Sequence, residues 1–229
     1  MRARLPRRLR STALCSVVLA VLSSCGGTGF QYVHDRSTET FVRVPDDWRM
    51  FTQNEILGTG NVLNPFAQPG NHIEFMRSFT ADPAAGPGAI PDFSAERPQG
   101  YVLVEELNPV ARDEVSLGML RNAFLPVDQI YSNYPGDIAF FARDEHLDMD
   151  GFQGSHLVYT IQRATIARLV GASAVDFPAD SVTINQTALV DPTLSRTYLL
   201  VILCTSNCYD DNQSAIDLVA NSLRVKEPI

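Results

Sequence analysis

The sequence predicts an α+β domain: an antiparallel β-sheet of about five or six strands covered by helices on both faces. Three stretches predict it. Tyr198 to Leu203 is apolar at six consecutive positions, too uniformly for a strand with a wet face, so it belongs at the centre of the sheet. Gly154 to Arg163 alternates, with Leu157, Tyr159 and Ile161 on one side. The Asp150-Gly151 pair before it suits the positive φ angles of a tight hairpin, which makes its neighbour antiparallel. Ile216, Val219, Ala220 and Leu223 fall at i, i+3, i+4 and i+7, the apolar stripe of a helix laid on such a sheet.

Residues 1–24 stand apart from the domain. Arg2, Arg4, Arg7, Arg8 and Arg10 occur with no acid and precede an apolar run from Ala13 to Leu22, the charged and apolar regions of a signal peptide. The run is about half the roughly 20 residues that a spanning helix needs. It ends in Leu22-Ser23-Ser24-Cys25, which resembles the bacterial lipobox: an aliphatic residue, two small ones and the cysteine that becomes the mature N-terminus. The resemblance implies cleavage after Ser24, a diacylglyceryl group on the Cys25 sulfur and a further acyl chain, such as palmitate, on the new amine. Two or three chains hold a protein to a membrane where one does not, since each buried methylene contributes about 0.8 kcal/mol. The implied location is the cell membrane, lipid-anchored on the extracytoplasmic face. Arg7-Arg8 matches part of a twin-arginine signal, but Leu9-Arg10-Ser11 lacks the apolar residues that follow it there, so both export routes stay open.

Residues 25–38, opened by Gly26-Gly27-Thr28-Gly29, read as the lipidated N-terminus and a flexible tether, and 39–229 as a single globular domain. Phe41 to Val44 forms a short strand stopped by Pro45-Asp46-Asp47, with Trp48 plugging the core after the corner. Residues 52–71 are loop. His72 to Phe79 is a strand with Ile73, Phe75 and Arg77 on one side and His72, Glu74 and Met76 on the other. The proline- and glycine-rich stretch 81–100 is a long surface loop. Tyr101 to Leu107 is a strand, and Asp113 caps a helix that runs to about Phe124 with Leu117, Leu120 and Phe124 on one face before Pro126 closes it. Ile138 to about Leu147 is the next strand. After the Gly154 strand, 164–180 is a mixed connection with a helical turn around Ile166 to Val170. Val182 to Val190 is a half-exposed strand, and Asp210 or Asp211 caps the last helix.

Without the signal peptide, 13 cationic side chains face 26 acidic ones, a charge of −13. That balance speaks against nucleic acid and anionic headgroups as electrostatic partners. With Cys15 removed and Cys25 lipidated, Cys204 and Cys208 are left to pair in an oxidising compartment. A straight strand would hold them roughly 13 Å apart, so the chain must turn between them. Three intervening residues and no second cysteine pair fit neither a redox motif nor a zinc site. The cluster Asp144, Glu145, His146, Asp148 and Asp150 fails as a calcium loop, because its first and twelfth ligands would be His146 and Leu157. It reads as an acidic hairpin rim, and the chain offers no metal or cofactor site.

The opening Phe41-Val42-Arg43-Val44-Pro45-Asp46-Asp47-Trp48, together with Tyr198 to Cys204, a helix and the close Asn221-Ser222-Leu223-Arg224-Val225, resembles the PsbP-like α/β/α sandwich, including the actinobacterial lipoproteins built on it. The resemblance covers most of residues 38–226 and rests on packing motifs. It implies an accessory or binding protein, with no catalytic residues to carry over.

The functions this supports are three. The first is a non-enzymatic accessory or binding lipoprotein of the cell envelope, held to the membrane through Cys25 and recognising an envelope protein or glycolipid by its loops. The second is a carrier of an apolar or glycolipid ligand, with Phe66, Phe79, Phe93 and Tyr101 lining a pocket under loop 81–100. The third is a hydrolase. Against it, His34, His72, His146 and His156 stand in no Gly-x-Ser-x-Gly or His-Glu-x-x-His context, and Ser155 and His156 point to opposite faces of one strand. The expected enzyme status is therefore no enzyme and no catalytic residue.

Overall fold

The computed structural model describes residues 29–60, 70–169 and 181–226. The expected signal peptide, Cys25 and Phe66 lie outside these residues. Two strands, β1 (Phe30–Asp35) and β2 (Thr40–Pro45), form an antiparallel hairpin. A second sheet holds β3 (Arg49–Thr52), β4 (His72–Thr80), β5 (Gln99–Glu106), β6 (Ile138–Met149), β7 (Phe152–Gln162), β8 (Ser181–Val190) and β9 (Arg196–Thr205). Its seven strands are antiparallel in the order β3-β4-β5-β9-β8-β7-β6. The uniformly apolar β9 is thus the central strand.

Helices α1 (Gln53–Leu57), α2 (Pro109–Asp113), α3 (Leu117–Arg121), α4 (Val127–Asn133) and α5 (Arg163–Leu169) precede β8, and α6 (Ser206–Ala220) follows β9. Alternation along the strands divides the interior into two cores. On one face Tyr101, Leu103, Leu157, Tyr159, Ile161, Ile184, Val201 and Leu203 pack under Ile56 of α1, Leu120 of α3, Val127 and Ile130 of α4 and Ile166 of α5. On the other face Phe79, Val102, Val104, Leu200 and Ile202 pack under Ile216 and Val219 of α6 and under Val33, Val42 and Val44 of the hairpin. Trp48 closes that second core at 6.0 Å from the Phe79 ring. The architecture is an antiparallel α/β/α sandwich.

Several elements depart from the sequence expectation. Residues 30–35, expected in the tether, form β1, because Val33 has a core to enter and the Gln31 side chain reaches the Pro45 and Trp48 carbonyls. Thr52 opens α1 inside the expected loop through a capping box, accepting from Glu55 N while the Glu55 carboxylate accepts from Thr52 N at 2.7 Å. The helix expected from Asp113 to Phe124 is two. Asn108 caps α2 by accepting from Val110 N and Ala111 N, Asp113 ends it, and Ser116 caps α3 by accepting from Met119 N. Ile73 and Phe75 sit on opposite faces because a register shift falls between them. β8 is buried on both sides apart from its first residue, since α3 covers one face and α6 the other.

α6 begins a turn earlier than the expected Asp210 or Asp211 cap. Cys204 in β9 and Cys208 in the first turn of α6 are joined by a disulfide with Cα atoms 5.9 Å apart, so the chain passes from strand to helix without a loop. The loop 81–98 is tied to the first core by Ile90, which is fully buried.

Candidate functional site: a groove beside the last helix

The second face of the sheet is covered unevenly. α6 lies over β9 and β8 and touches β2, and the hairpin adds Val33, Val42 and Val44 to the same core. Toward the free edge no helix among the described residues covers β7 and β6 on this side, and a groove of about 380 Å³ opens there. That size lies within the roughly 300–1,000 Å³ usual for small-molecule sites. Ala142, His156, Val158 and Asn185 line it from the strands. One flank of α6 walls it with Tyr209, Asp210, Gln213, Asp217, Ala220 and Asn221. A smaller lobe of about 130 Å³ carries on past His156, between Leu147, Met149 and Thr187 on the sheet and Leu223 and Arg224 after α6.

A hydrogen-bonded chain crosses the floor. His156 Nε2 is 3.0 Å from Asn185 Oδ1, and Asn185 Nδ2 donates to Tyr209 OH at 3.1 Å. Asn185 and Tyr209 are buried, and His156 is half-buried at the surface of the groove. Burial raises the Tyr209 phenol above its ordinary value, the bond from Asn185 opposes that, and Asp217 and Asp210 add to the rise. The phenol therefore stays protonated at neutral pH and keeps a proton to donate.

Phe141 stands at the lip. Register shifts occur between Phe140 and Ala142, so Phe141 is the extra residue of a β-bulge. Phe140 turns inward against Tyr159 at 5.9 Å between ring centroids, whereas Phe141 is 70% exposed. A bulge re-aims a side chain at a sheet edge, and here it sets an aromatic ring over the groove.

Ser155 Oγ is buried on the first face of β7 while His156 opens on the second, so they form no nucleophile and base pair. Among the described residues no group of three or more His, Cys, Asp or Glu is placed to hold a metal ion. Of the acidic rim, Asp148 sits at the end of β6 and Asp150 in the β6–β7 turn, where Asp150 and Gly151 have φ of 55° and 89°.

The aromatics expected to line a carrier pocket are not brought together. Phe79 belongs to the second core, while Tyr101 and Phe93 pack against Phe124 in the first, separated from it by the sheet. Alternation decides this: Phe79 pairs with Gly100, so its neighbour Tyr101 faces the other way. His156 was visible in the sequence only as one of four histidines. Its place on β7 is what marks it: on the face opposite Leu157 it pairs with Thr187 and reaches the side chain of Asn185, whose own cross-strand partner is Val158. A second cleft, of about 510 Å³, sits where β9 enters α6 and is walled by Glu96, Gln162, Ser181, Ser206 and Asp211. Two of its hydroxyls, Ser181 and Ser206, engage each other at 2.8 Å, and Ser206 also accepts from Thr183 at 3.0 Å.

No protein-family model matches the chain, and no curated protein matches it. Solved structures do. They include the solution structure of cyanobacterial PsbP (CyanoP) from Synechocystis sp. PCC 6803, 16% identical, with 90% of this chain and 99% of that one covered at a TM-score of 0.40. Another is LpqN, involved in cell envelope biogenesis of Mycobacterium tuberculosis, 15% identical over 86% of this chain and 90% of that one at a TM-score of 0.44. The Ran-binding protein Mog1p of Saccharomyces cerevisiae is 9% identical over 86% of this chain and 95% of that one, with a TM-score of 0.42.

Proposed function

We propose that the protein is a non-enzymatic binding lipoprotein of the cell envelope, anchored outside the membrane through Cys25 and engaging an envelope component in the groove between α6 and β6. The observation that carries the reading is the uncovered β6–β7 end of the second sheet face, where an exposed ring and a buried hydrogen-bonded chain meet in one concave surface. The lipobox supports the anchor. Among the described residues no helix is long and apolar enough to cross a membrane.

The groove supports a partner bound at the surface over a ligand enclosed in the domain. Both cores are filled by side chains from opposing layers, and the grooves among the described residues open on solvent.

The test has two arms. Cys25→Ser should move the full chain from the membrane fraction to the soluble one, and continued sedimentation with membranes would remove the anchor. A photo-crosslinker at Gln213 should capture an envelope component that Ala220→Trp, which fills the groove, prevents. Crosslinking indifferent to Ala220→Trp would remove the groove.

A further inference from the structure

We propose that the groove takes a neutral saccharide, its ring laid on Phe141 and its hydroxyls hydrogen-bonded to the amides and carboxylates of the α6 flank. This rests on the groove reading above and narrows its ligand class. Two features of the lining point to it.

The first is charge. Among the described residues that line it, the main lobe carries Asp210 and Asp217 and no Lys or Arg, and Arg224 at the smaller lobe donates to the Asn221 and Leu223 carbonyls. Two carboxylates without a cation disfavour phosphate, sulfate and carboxylate ligands. They do not disfavour hydroxyls, for which an ionised carboxylate is a strong acceptor.

The second is the kind and placement of the polar groups. Gln213 and Asn221 each present a planar carbonyl and NH2, so each can accept from one hydroxyl and donate to another, while the buried Asn185 is already joined to His156 and Tyr209. Adjacent hydroxyls on a sugar offer that alternation of donor and acceptor, and an acyl chain does not. The opposite edge of a sugar ring is a patch of C–H groups. An aromatic ring held 70% exposed at the mouth, when Phe140 beside it is turned into the core, matches such a patch. An apolar ligand alone would leave the exposed Gln213 and Asn221 amides facing it without use.

A cationic peptide is the competing occupant, since Asp210 and Asp217 would attract it. It would bind through charge and so weaken with salt, which a sugar would not.

The experiment is a titration of the full chain, with 1H–15N amide shifts recorded, against maltohexaose, mannohexaose and arabinohexaose, with hexalysine as the cationic probe. Expected is saturable binding of at least one oligosaccharide, unchanged between low and high salt, with shifts confined to Ala142, His156, Val158, Asn185, Gln213 and Asn221. Phe141→Ala, an exposed position whose loss leaves the cores intact, should weaken it about tenfold. Failure of all three sugars to shift these amides, or binding indifferent to Phe141→Ala, overturns the proposal. Salt-sensitive binding of hexalysine in the groove without sugar binding overturns the saccharide and leaves the groove reading standing. Loss of the Gln213 crosslink specificity described above removes both.

Discussion

Glu105 lies near the end of β5, half-buried, and burial raises its carboxyl above the ordinary 4.5 by more than the bond from Asn71 lowers it. A raised carboxylate pKa means the native state holds the proton more tightly than the unfolded chain. Its contribution to stability is present below pH 4.5 and is lost as pH rises through the folded value. At pH 7 the ionised group therefore weighs on the fold. Glu105→Gln, which keeps an acceptor for Asn71, should raise the urea midpoint at pH 7, and the gain should vanish below about pH 4.5. A gain that persisted at pH 4 would show that charge is not its cause. Gly154 sets the opposite kind of limit. A Cβ there would strike the Ala188 carbonyl and come within 2.9 Å of the Leu189 Cα, both backbone atoms of a strand that cannot yield. Gly154→Ala should cost roughly 1–3 kcal/mol in urea melts, as other overpacked sites do. A neutral Gly154→Ala would mean that β7 and β8 can part locally.

α6 shows how local chemistry and packing combine in one element. Ile216 and Val219 are fully buried and Leu223 is 2% exposed, so the stripe read from the sequence is the helix's contact with the sheet. Its start is set by the disulfide, which pins the first turn to β9. Closing so short a ring restricts the unfolded chain by about 2 kcal/mol in the entropy model. Cys204→Ala with Cys208→Ala should lower stability by about that amount in urea melts, while α6 stays helical by circular dichroism because its stripe remains packed. Loss of helix signal in the double variant would show that the bridge, and not the stripe, holds α6. The elements that the sequence disclosed are of this sort, long enough for a period to repeat: β7, β9, α6 and the Asp150-Gly151 turn. Those it concealed are short or interrupted. α1 has five residues and β3 four, and α4 follows a proline that reads as a stop. The bulge between Ile73 and Phe75 reverses the first residues of β4 without any trace in composition. The groove was concealed for a different reason. His156, Asn185 and Tyr209 lie 29 and 24 residues apart along the chain, and only the β7–β8 register and the crossing of α6 bring them into one row.

For the whole molecule the controlling contact is the one between β2 and the segment that follows α6. β2 would be an isolated hairpin strand if it did not pair with the segment after α6, where Phe41 N donates to Arg224 O and Arg224 N to Phe41 O, each at 2.9 Å. Ser222 completes the clasp: its hydroxyl accepts from Arg43 N at 2.8 Å and lies 2.7 Å from the Val219 carbonyl. An isolated two-stranded hairpin is marginal in water, so β1 and β2 depend on this contact and on Val33, Val42 and Val44 reaching the second core. The seven-stranded sheet does not depend on the hairpin in the same way, because β9 is held by β5 on one side and β8 on the other. Ser222→Ala leaves the Arg43 amide without its acceptor and should cost about 1 kcal/mol. The loss should be local. In native-state hydrogen exchange, amides of β1 and β2 should lose protection while those of β9 and its two neighbours keep theirs, since these open only with global unfolding. Uniform loss across all nine strands would mean that the clasp holds the entire domain and that hairpin and sheet fold as a single cooperative unit.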